Sequence, residues 1–227
     1  MSNIVINGAT YKDVPSIQVP NENGEMVEFE ETSDIDKIIN RTITSYSNDR
    51  ITQVGACAFQ YCQALKFVKI PNAVECGIYA FSNDEALINI NAPNVILFGN
   101  YSFYHCILLR VEEFPNLKTL GYYSFYECVS LTKLRAHKLV SIGTGSFAST
   151  GLKILIIGNN TICALNNTNA FLSTPIASGT GYIYVPKSLV GSYKSATNWS
   201  VYANQFRALE DYTVDGTITG ELDESKI

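Results

Sequence analysis

The chain has 227 residues, of which 46% are hydrophobic and 16% charged, enough apolar material for a packed core and too little charge for global disorder. Against 21 acidic residues stand 16 basic ones, a net charge of −5, which is the wrong sign for a partner held by phosphate neutralisation, so nucleic acid is not expected. No apolar run approaches the roughly 20 residues that a membrane helix needs, so membrane insertion is not expected either.

Residues Met1 to Gly8 contain neither the basic nor the apolar region of a secretion signal, and an initial Met1 argues against one already removed. Ile4, Val5 and Ile6, followed by Asn7-Gly8, predict a strand and turn. Ile17 to Pro20, the pair Asn23-Gly24 and the run Met26 to Phe29 predict a hairpin. Asp34 to Asn40 predict one short helix with Ser33 as its N-cap. Residues 1–42 therefore read as a small β-rich segment that attaches or caps.

From there to about residue 175 the chain repeats. Glycine recurs every 22 residues at Gly55, Gly77, Gly99, Gly121 and Gly143. Four positions later stands Phe59, Phe81, Phe103, Phe125 or Phe147, each preceded by a small residue, Ala58, Ala80, Ser102, Ser124 or Ser146. Leu65, Leu87, Leu109 and Leu131 follow at a fixed offset, and the fifth turn, one residue short, offers Leu152. Pro71, Pro93 and Pro115 close three of the predicted strands. A sixth, partial turn lies at Asn167 to Phe171, and a degenerate one precedes the first around Ile43 to Ile51.

Four apolar columns run through these turns. One strand column is Val68, Ile90, Glu112, Leu134 and Leu155, with Glu112 as its exception. The next is Ile70, Ala92, Phe114, Ala136 and Ile157, because side chains alternate across a strand. Cys76, Phe98, Leu120 and Ile142 form a third, and Ala73, Val95, Leu117 and Leu139 a fourth. No single turn can bury such columns alone, whereas stacked turns make them one core. The period falls in the leucine-rich-repeat range. The expected fold is thus a leucine-rich-repeat solenoid, α/β or mainly β, with a parallel strand ribbon built from residues 43–175.

The pattern Gly-x-x-Ala/Ser-Phe-x-x-Cys-x-x-Leu, followed by a strand ending in Pro, resembles the BspA-like class of leucine-rich repeats over about Ile51 to Phe171. The stretch from Gly181 to Trp199 resembles the closing segment of many such proteins from gut bacteria and their phages, and the N-terminal opening resembles short leading segments of phage tail-region proteins. The resemblance implies surface-exposed interaction proteins, some of them adhesins and some encoded near phage tail genes. It implies no catalytic activity.

Residues 176–210 read as a C-terminal cap. Tyr182 to Val185 predict a strand, and Pro186 then opens a helix with Leu189, Val190, Tyr193 and Ala196 on one face. Trp199, Tyr202 and Phe206 add aromatic bulk to cover the last turn, as a solenoid requires. Residues 211–227, with Asp211, Asp215, Glu221, Asp223 and Glu224, read as an acidic mobile tail, with docking of a partner as the alternative.

Chemistry is sparse. His105 occupies a repeat position otherwise filled by Tyr61, Asn83, Glu127 and Ser149, and that variability marks an outward position. His137 replaces the post-strand proline, and neither histidine has an acidic or cysteine partner at metal spacing in sequence. Cys62, Cys106 and Cys128 share an inward position and read as buried thiols, as does Cys76. A Cys106–Cys128 disulfide is allowed by distance but disfavoured by parallel side-chain directions. Cys57 falls in a column of tyrosines and Cys163 follows the last full turn. Ser130 and Lys133 match a short serine-hydrolase pattern without any partner motif. Neither a metal site nor a cofactor motif is expected, and the chain does not read as an enzyme.

What remains is surface. The strand residues expected to point away from the core are Phe67 and Lys69, Asn89 and Asn91, Val111 and Glu113, Lys133 and Arg135, and Ile154 and Ile156. They change at every turn while the core columns stay similar, which suits recognition as well as it suits solvation, and the apolar Phe67, Ile154 and Ile156 favour contact. Tyr79, Tyr101 and Tyr123 form a second ladder beside Tyr104 and Tyr126, either structural or a binding area for sugar or protein. The expected function is recognition of a protein or cell-surface glycan through the strand ribbon. The alternative is a structural phage tail-region or virion decoration protein in which the repeats only project. The expected location is a virion or cell surface, otherwise the cytoplasm, and the N-terminal strands or an open solenoid end offer a route to a homo-oligomer.

Overall fold

The computed structural model describes residues 31–212 continuously and, before them, four short strands. Ile4–Ile6 pairs antiparallel with Ala9–Tyr11, and Gln18–Pro20 with Met26–Glu28, so the strands flank the Asn7-Gly8 and Asn23-Gly24 pairs as expected. The rest of the N-terminal segment, and the acidic tail after Tyr212, lie outside the described residues. The helix runs Glu31–Ile39, which places Ser33 inside its first turn and not at the N-cap. Asp34, in the same turn, sets negative charge against the positive end of the helix dipole.

Beyond the helix the chain winds as a solenoid whose turns are joined by three parallel hydrogen-bond ladders. The first ribbon begins with Ser45–Ser47, Phe67–Lys69 and Asn89–Asn91, which pair in parallel, so the degenerate turn before the first repeat is a true turn. A second ribbon is an unbroken six-stranded parallel sheet from Gln53–Val54 to Ala164–Leu165. The third ladder lies in the return segment. Here the amide of Cys57 donates to Ile78, that of Phe59 to Ala80 and that of Tyr61 to Ser82, at 2.8–2.9 Å, and later turns repeat the pattern.

The return segment works because two residues per turn adopt the left-handed conformation. Cys57, Tyr79, Tyr101, Tyr123 and Gly145 do so at one position, and Tyr61, Asn83, His105, Glu127 and Ser149 at another, with φ between 53° and 64°. Each such non-glycine residue costs about 1 kcal/mol, a strain held in place by the ladder on either side. The recurring glycine has a different cause, the close approach of successive backbones. A Cβ on Gly99 would lie 2.7 Å from the carbonyl carbon of Gly77, and one on Gly121 2.5 Å from the amide nitrogen of Asn100.

The core is one continuous column system. Phe59, Phe81, Phe103, Phe125, Phe147 and Phe171 stack with centroids 5.0–5.8 Å apart, the spacing of adjacent strands with a little slack. Phe171 ends the stack and shows that the partial sixth turn is built. The cap continues it: Trp199 and Tyr202 pack on Phe171, and Trp199 Nε1 donates to the Cys163 carbonyl at 2.6 Å while the Tyr193 hydroxyl accepts from the Cys163 amide at 2.8 Å. Tyr182–Val185 and Phe206–Ala208 extend the first ribbon in parallel past the last repeat.

The post-strand asparagines have a role the repeat pattern did not disclose. Asn72, Asn94 and Asn116 each donate a side-chain amide to a carbonyl of the preceding turn, Asp49, Pro71 and Pro93, at 2.6–3.0 Å. Cys62, Cys76, Cys106, Cys128 and Cys163 are buried free thiols. The Sγ atoms of Cys106 and Cys128 each donate to a carbonyl of the neighbouring turn, Phe81 and Phe103, at 3.0 Å. Burial pushes the Cys62 thiol up to about 12 and raises the others as well, so they stay protonated hydrophobes.

Candidate functional site

The first ribbon divides into an open stretch, a break and a covered end. In the open stretch Phe67, Lys69, Asn89 and Asn91 point outward and are exposed, with Phe67 at 53%. Their inward neighbours Val68 and Ile90 are buried, as strand alternation requires.

The break falls at residues 111–113, and its cause is Glu112. In phase, this residue would enter the core column of Val68, Ile90 and Leu134, and a buried carboxylate without a partner costs several kcal/mol. The backbone turns over locally instead, while both flanks keep the repeat register: the Arg110 amide donates to Ile88 and that of Phe114 to Arg135, each at 2.9 Å. Val111 turns inward and is 5% exposed, while Glu112 turns outward with its side chain 62% exposed. Strand alternation alone puts Val111 on the outer surface, and this local inversion reverses it. The ribbon therefore splits into sheets of three and four strands, and residue 113 keeps only an isolated bridge to Arg135.

A charged cluster marks the break. Glu112 Oε2 lies 3.5 Å from Arg135 Nη1 and 3.8 Å from Lys133 Nζ, and Glu113 is exposed beside them. Lys133 and Arg135 are half-buried. His137, on the same edge, has its pKa lowered, first by burial and also by Arg135, against an opposing pull from Glu113. The Lys133 ammonium is thus engaged by Glu112, which leaves the Ser130 pairing without support.

At the covered end, Ile154 and Ile156 are 7% and 1% exposed, although strand alternation in the repeat turns both toward solvent. They cluster with Tyr184, and Tyr182 and Leu209 pack over them. Arg207 lies over the ring of Tyr182 at 4.1 Å and closes that edge. The two apolar residues are an internal seam between the last repeat and the cap.

His105 does point outward, and it is not alone. Its Nδ1 sits 2.7 Å from Glu127 Oε2 and its Nε2 3.9 Å from Glu85 Oε1. Sequence reasoning missed these partners because each is about one turn away, and only the stacked register brings them together. Among the described residues no group of three or more His, Cys, Asp or Glu is placed to hold a metal ion. Also among them, no helix is long and apolar enough to cross a membrane.

The tyrosines stack as two adjacent ladders on the return segment. Tyr79, Tyr101 and Tyr123 follow at 4.8 and 5.4 Å, and Tyr104 and Tyr126 at 5.2 Å, all within 10° of parallel.

Comparison with known proteins matches the geometry. The family model described as "BspA type Leucine rich repeat region" matches residues 29–153 and 74–188, with six copies. A search of curated proteins found no match. Among solved structures, the pneumococcal vaccine antigen PcpA is 17% identical with a TM-score of 0.57, over 73% of this chain and 40% of that one. A leucine-rich-repeat protein of T. pallidum is 20% identical with a TM-score of 0.47, over 51% of this chain and 59% of that one. One from Bacteroides ovatus is 18% identical with a TM-score of 0.40, over 77% of this chain and 55% of that one. The chain spans about two-fifths to three-fifths of the length of these structures, and the likeness to PcpA is one of fold.

Proposed function

The chain belongs to the BspA-type leucine-rich-repeat family, and from that premise we propose that it is a non-catalytic recognition module, displayed on a cell or virion surface, that seats a partner protein on the open stretch of its first ribbon. The observation that carries this reading is the block of Phe67, Lys69, Asn89 and Asn91, four exposed side chains on two paired strands. The strands are held rigid by the core beneath, so little ordering entropy is lost when a partner docks. An exposed aromatic flanked by a cation and two carboxamides has the makings of an anchor with a polar rim. The charged cluster at Glu113, Lys133 and Arg135 continues the same face and would set orientation more than affinity.

The test is binding of the purified chain to panels of extracellular-matrix proteins, bacterial surface proteins and surface glycans, beside a Phe67→Ala/Asn91→Ala variant. The expected result is a protein ligand whose affinity falls at least about tenfold in the variant with unchanged thermal stability. A ligand that binds both forms alike would move the site off the ribbon. A folded protein that binds nothing in the panels would support the structural alternative, with the repeats as a projecting spacer.

A further inference from the structure

The two tyrosine ladders stop together, and the place where they stop is a cleft. The first column reads Cys57, Tyr79, Tyr101, Tyr123, Gly145 and then Asn169, and the second reads Gln60, Ser82, Tyr104, Tyr126, Ala148 and then Leu172. The register is fixed by the return-segment ladder, in which Phe147 donates to Ala170 and Ser149 to Leu172. One rung is therefore missing from both columns at once. Asn169 and Leu172 stand on the far side of the gap, Gly145 and Ala148 form its floor, and Tyr123 and Tyr126 form its near wall. The cavity measures about 400 Å³, within the range of small-ligand sites, with Tyr101 and Tyr104 completing its lining.

Gly145 is required for this shape. It keeps the left-handed φ of the tyrosines before it, at 63°, and a Cβ there would lie 2.4 Å from Cε1 of Tyr123. The Tyr123 ring thus leans over bare backbone and meets the Tyr126 ring nearly edge to face at 5.6 Å and 72°, so that the two rings together make the near wall.

We propose that this cleft binds a neutral pyranose unit of a glycan. Every lining side chain is uncharged, so the cleft offers no cation to pair with phosphate, sulfate or uronic acid, and a neutral ligand suits it better. The walls offer tyrosine ring faces and the apolar Ala148 and Leu172, a match for the C–H face of a sugar ring. Four phenol hydroxyls and the Asn169 carboxamide supply groups that both donate and accept, which is what sugar hydroxyls demand. Desolvation and the nearby Glu127 raise the pKa of the Tyr104 phenol, so it keeps its proton as a donor. A purely aromatic or prolyl side chain would leave these polar groups unmatched. The site lies on the return segment, apart from the ribbon residues, so it stands or falls separately from the protein-binding reading.

Saturation-transfer NMR on the full chain, with glucose, galactose and mannose and their neutral oligosaccharides as probes, tests the assignment. A single hexose in so open a cleft is expected to bind at about millimolar strength. Ala148→Tyr restores the missing rung and fills the cleft without removing any wall, and it is expected to abolish the transfer. Tyr126→Ala removes one stacking face and is expected to weaken binding by about three- to tenfold. The ribbon variant Phe67→Ala/Asn91→Ala is expected to bind sugar as the native chain does. Absence of transfer from any neutral saccharide at tens of millimolar overturns the proposal. So does transfer that survives Ala148→Tyr in a folded protein, or a cleft that takes aromatic or proline-rich peptides and no saccharide.

Discussion

The return segment and the first ribbon each receive one carboxylate at an inward position, and they treat it in opposite ways. Asp84 replaces the cysteine of its column, stays fully buried and leaves the turn geometry intact. Glu112 replaces the apolar strand residue of its column, is expelled, and breaks the ribbon. The difference lies in what the backbone offers. In the return segment the amide of Cys62 reaches Asp84 Oδ1 at 2.7 Å, and the short side chain fits the space of a cysteine. In a parallel ribbon the amides are committed to neighbouring strands, so an inward glutamate finds no donor and the backbone turns over locally at residues 111 and 112. Of these two inward carboxylates, the one that a backbone amide meets is held and the other is turned out.

The sharpest way to separate the two regions is to remove apolar mass from each. Phe103→Ala, at the centre of the buried phenylalanine stack, should cost about 3–5 kcal/mol because both neighbouring rings hold the cavity open. Val111→Ala, at a place where the chain has already rearranged, should cost about 1–2 kcal/mol. Chemical denaturation of both variants measures the ratio. Equal losses would mean that the broken ribbon is packed as rigidly as the stack.

Asp84 provides a test in pH. Burial raises its pKa well above the ordinary 3.8, outweighing the Cys62 amide and Arg41, which pull it down. Folding therefore favours the protonated form. Its contribution to stability is full below the unfolded value near 3.8 and falls as the pH rises from there toward the folded value. Asp84→Asn keeps an acceptor for Cys62 and removes the charge. At pH 7 the variant should be the more stable by about 1–3 kcal/mol, and at about pH 4 the gap should close. Thermal melts of both proteins across that range check it, and a gap independent of pH would place the ionised carboxylate in a compensated site.

Most of the fold could be read from one register. The phenylalanine stack from Phe59 to Phe147, the buried Cys62, Cys106 and Cys128, and the apolar strand columns up to Ala136 all sit where a fixed 22-residue step puts them, Glu112 excepted. What escaped was set between turns or past the repeats. The inversion at Val111 depends on a competition between burying a carboxylate and keeping strand alternation, and periodicity alone cannot weigh it. The covering of Ile154 and Ile156 depends on Tyr182, Tyr184 and Leu209, which belong to the cap. Of the expected ribbon site, Phe67, Lys69, Asn89, Asn91 and Glu113 are exposed, whereas Lys133 and Arg135 are half sunk beside Glu112. The paired ends of the tyrosine columns were visible in sequence as Gly145 and Ala148, but only stacking shows that one missing rung in each makes a cleft.

Two smaller changes act on Glu112 itself. Glu112→Leu offers the core the residue type found at the same position in other turns, so the strand should regain its alternation. The new leucine would turn inward, Val111 outward, and residues 111–113 would join the sheets on either side. The gain should be about 1 kcal/mol, from the added ladder bonds and the larger buried side chain, less the exposure of Val111. Hydrogen exchange at residues 111–113 reads this directly, and unchanged protection would show that something other than the carboxylate breaks the ribbon. Glu112→Gln keeps the size and polarity and removes only the charge facing Lys133 and Arg135. Because Glu112 is mostly exposed, the loss should stay below about 0.5 kcal/mol and vanish in high salt. The inversion should persist in this variant, since an inward glutamine would also lack a backbone donor. If the glutamine variant instead restores the strand, charge and not polarity expels the side chain, and the contrast with Asp84 must be narrowed to ionised groups.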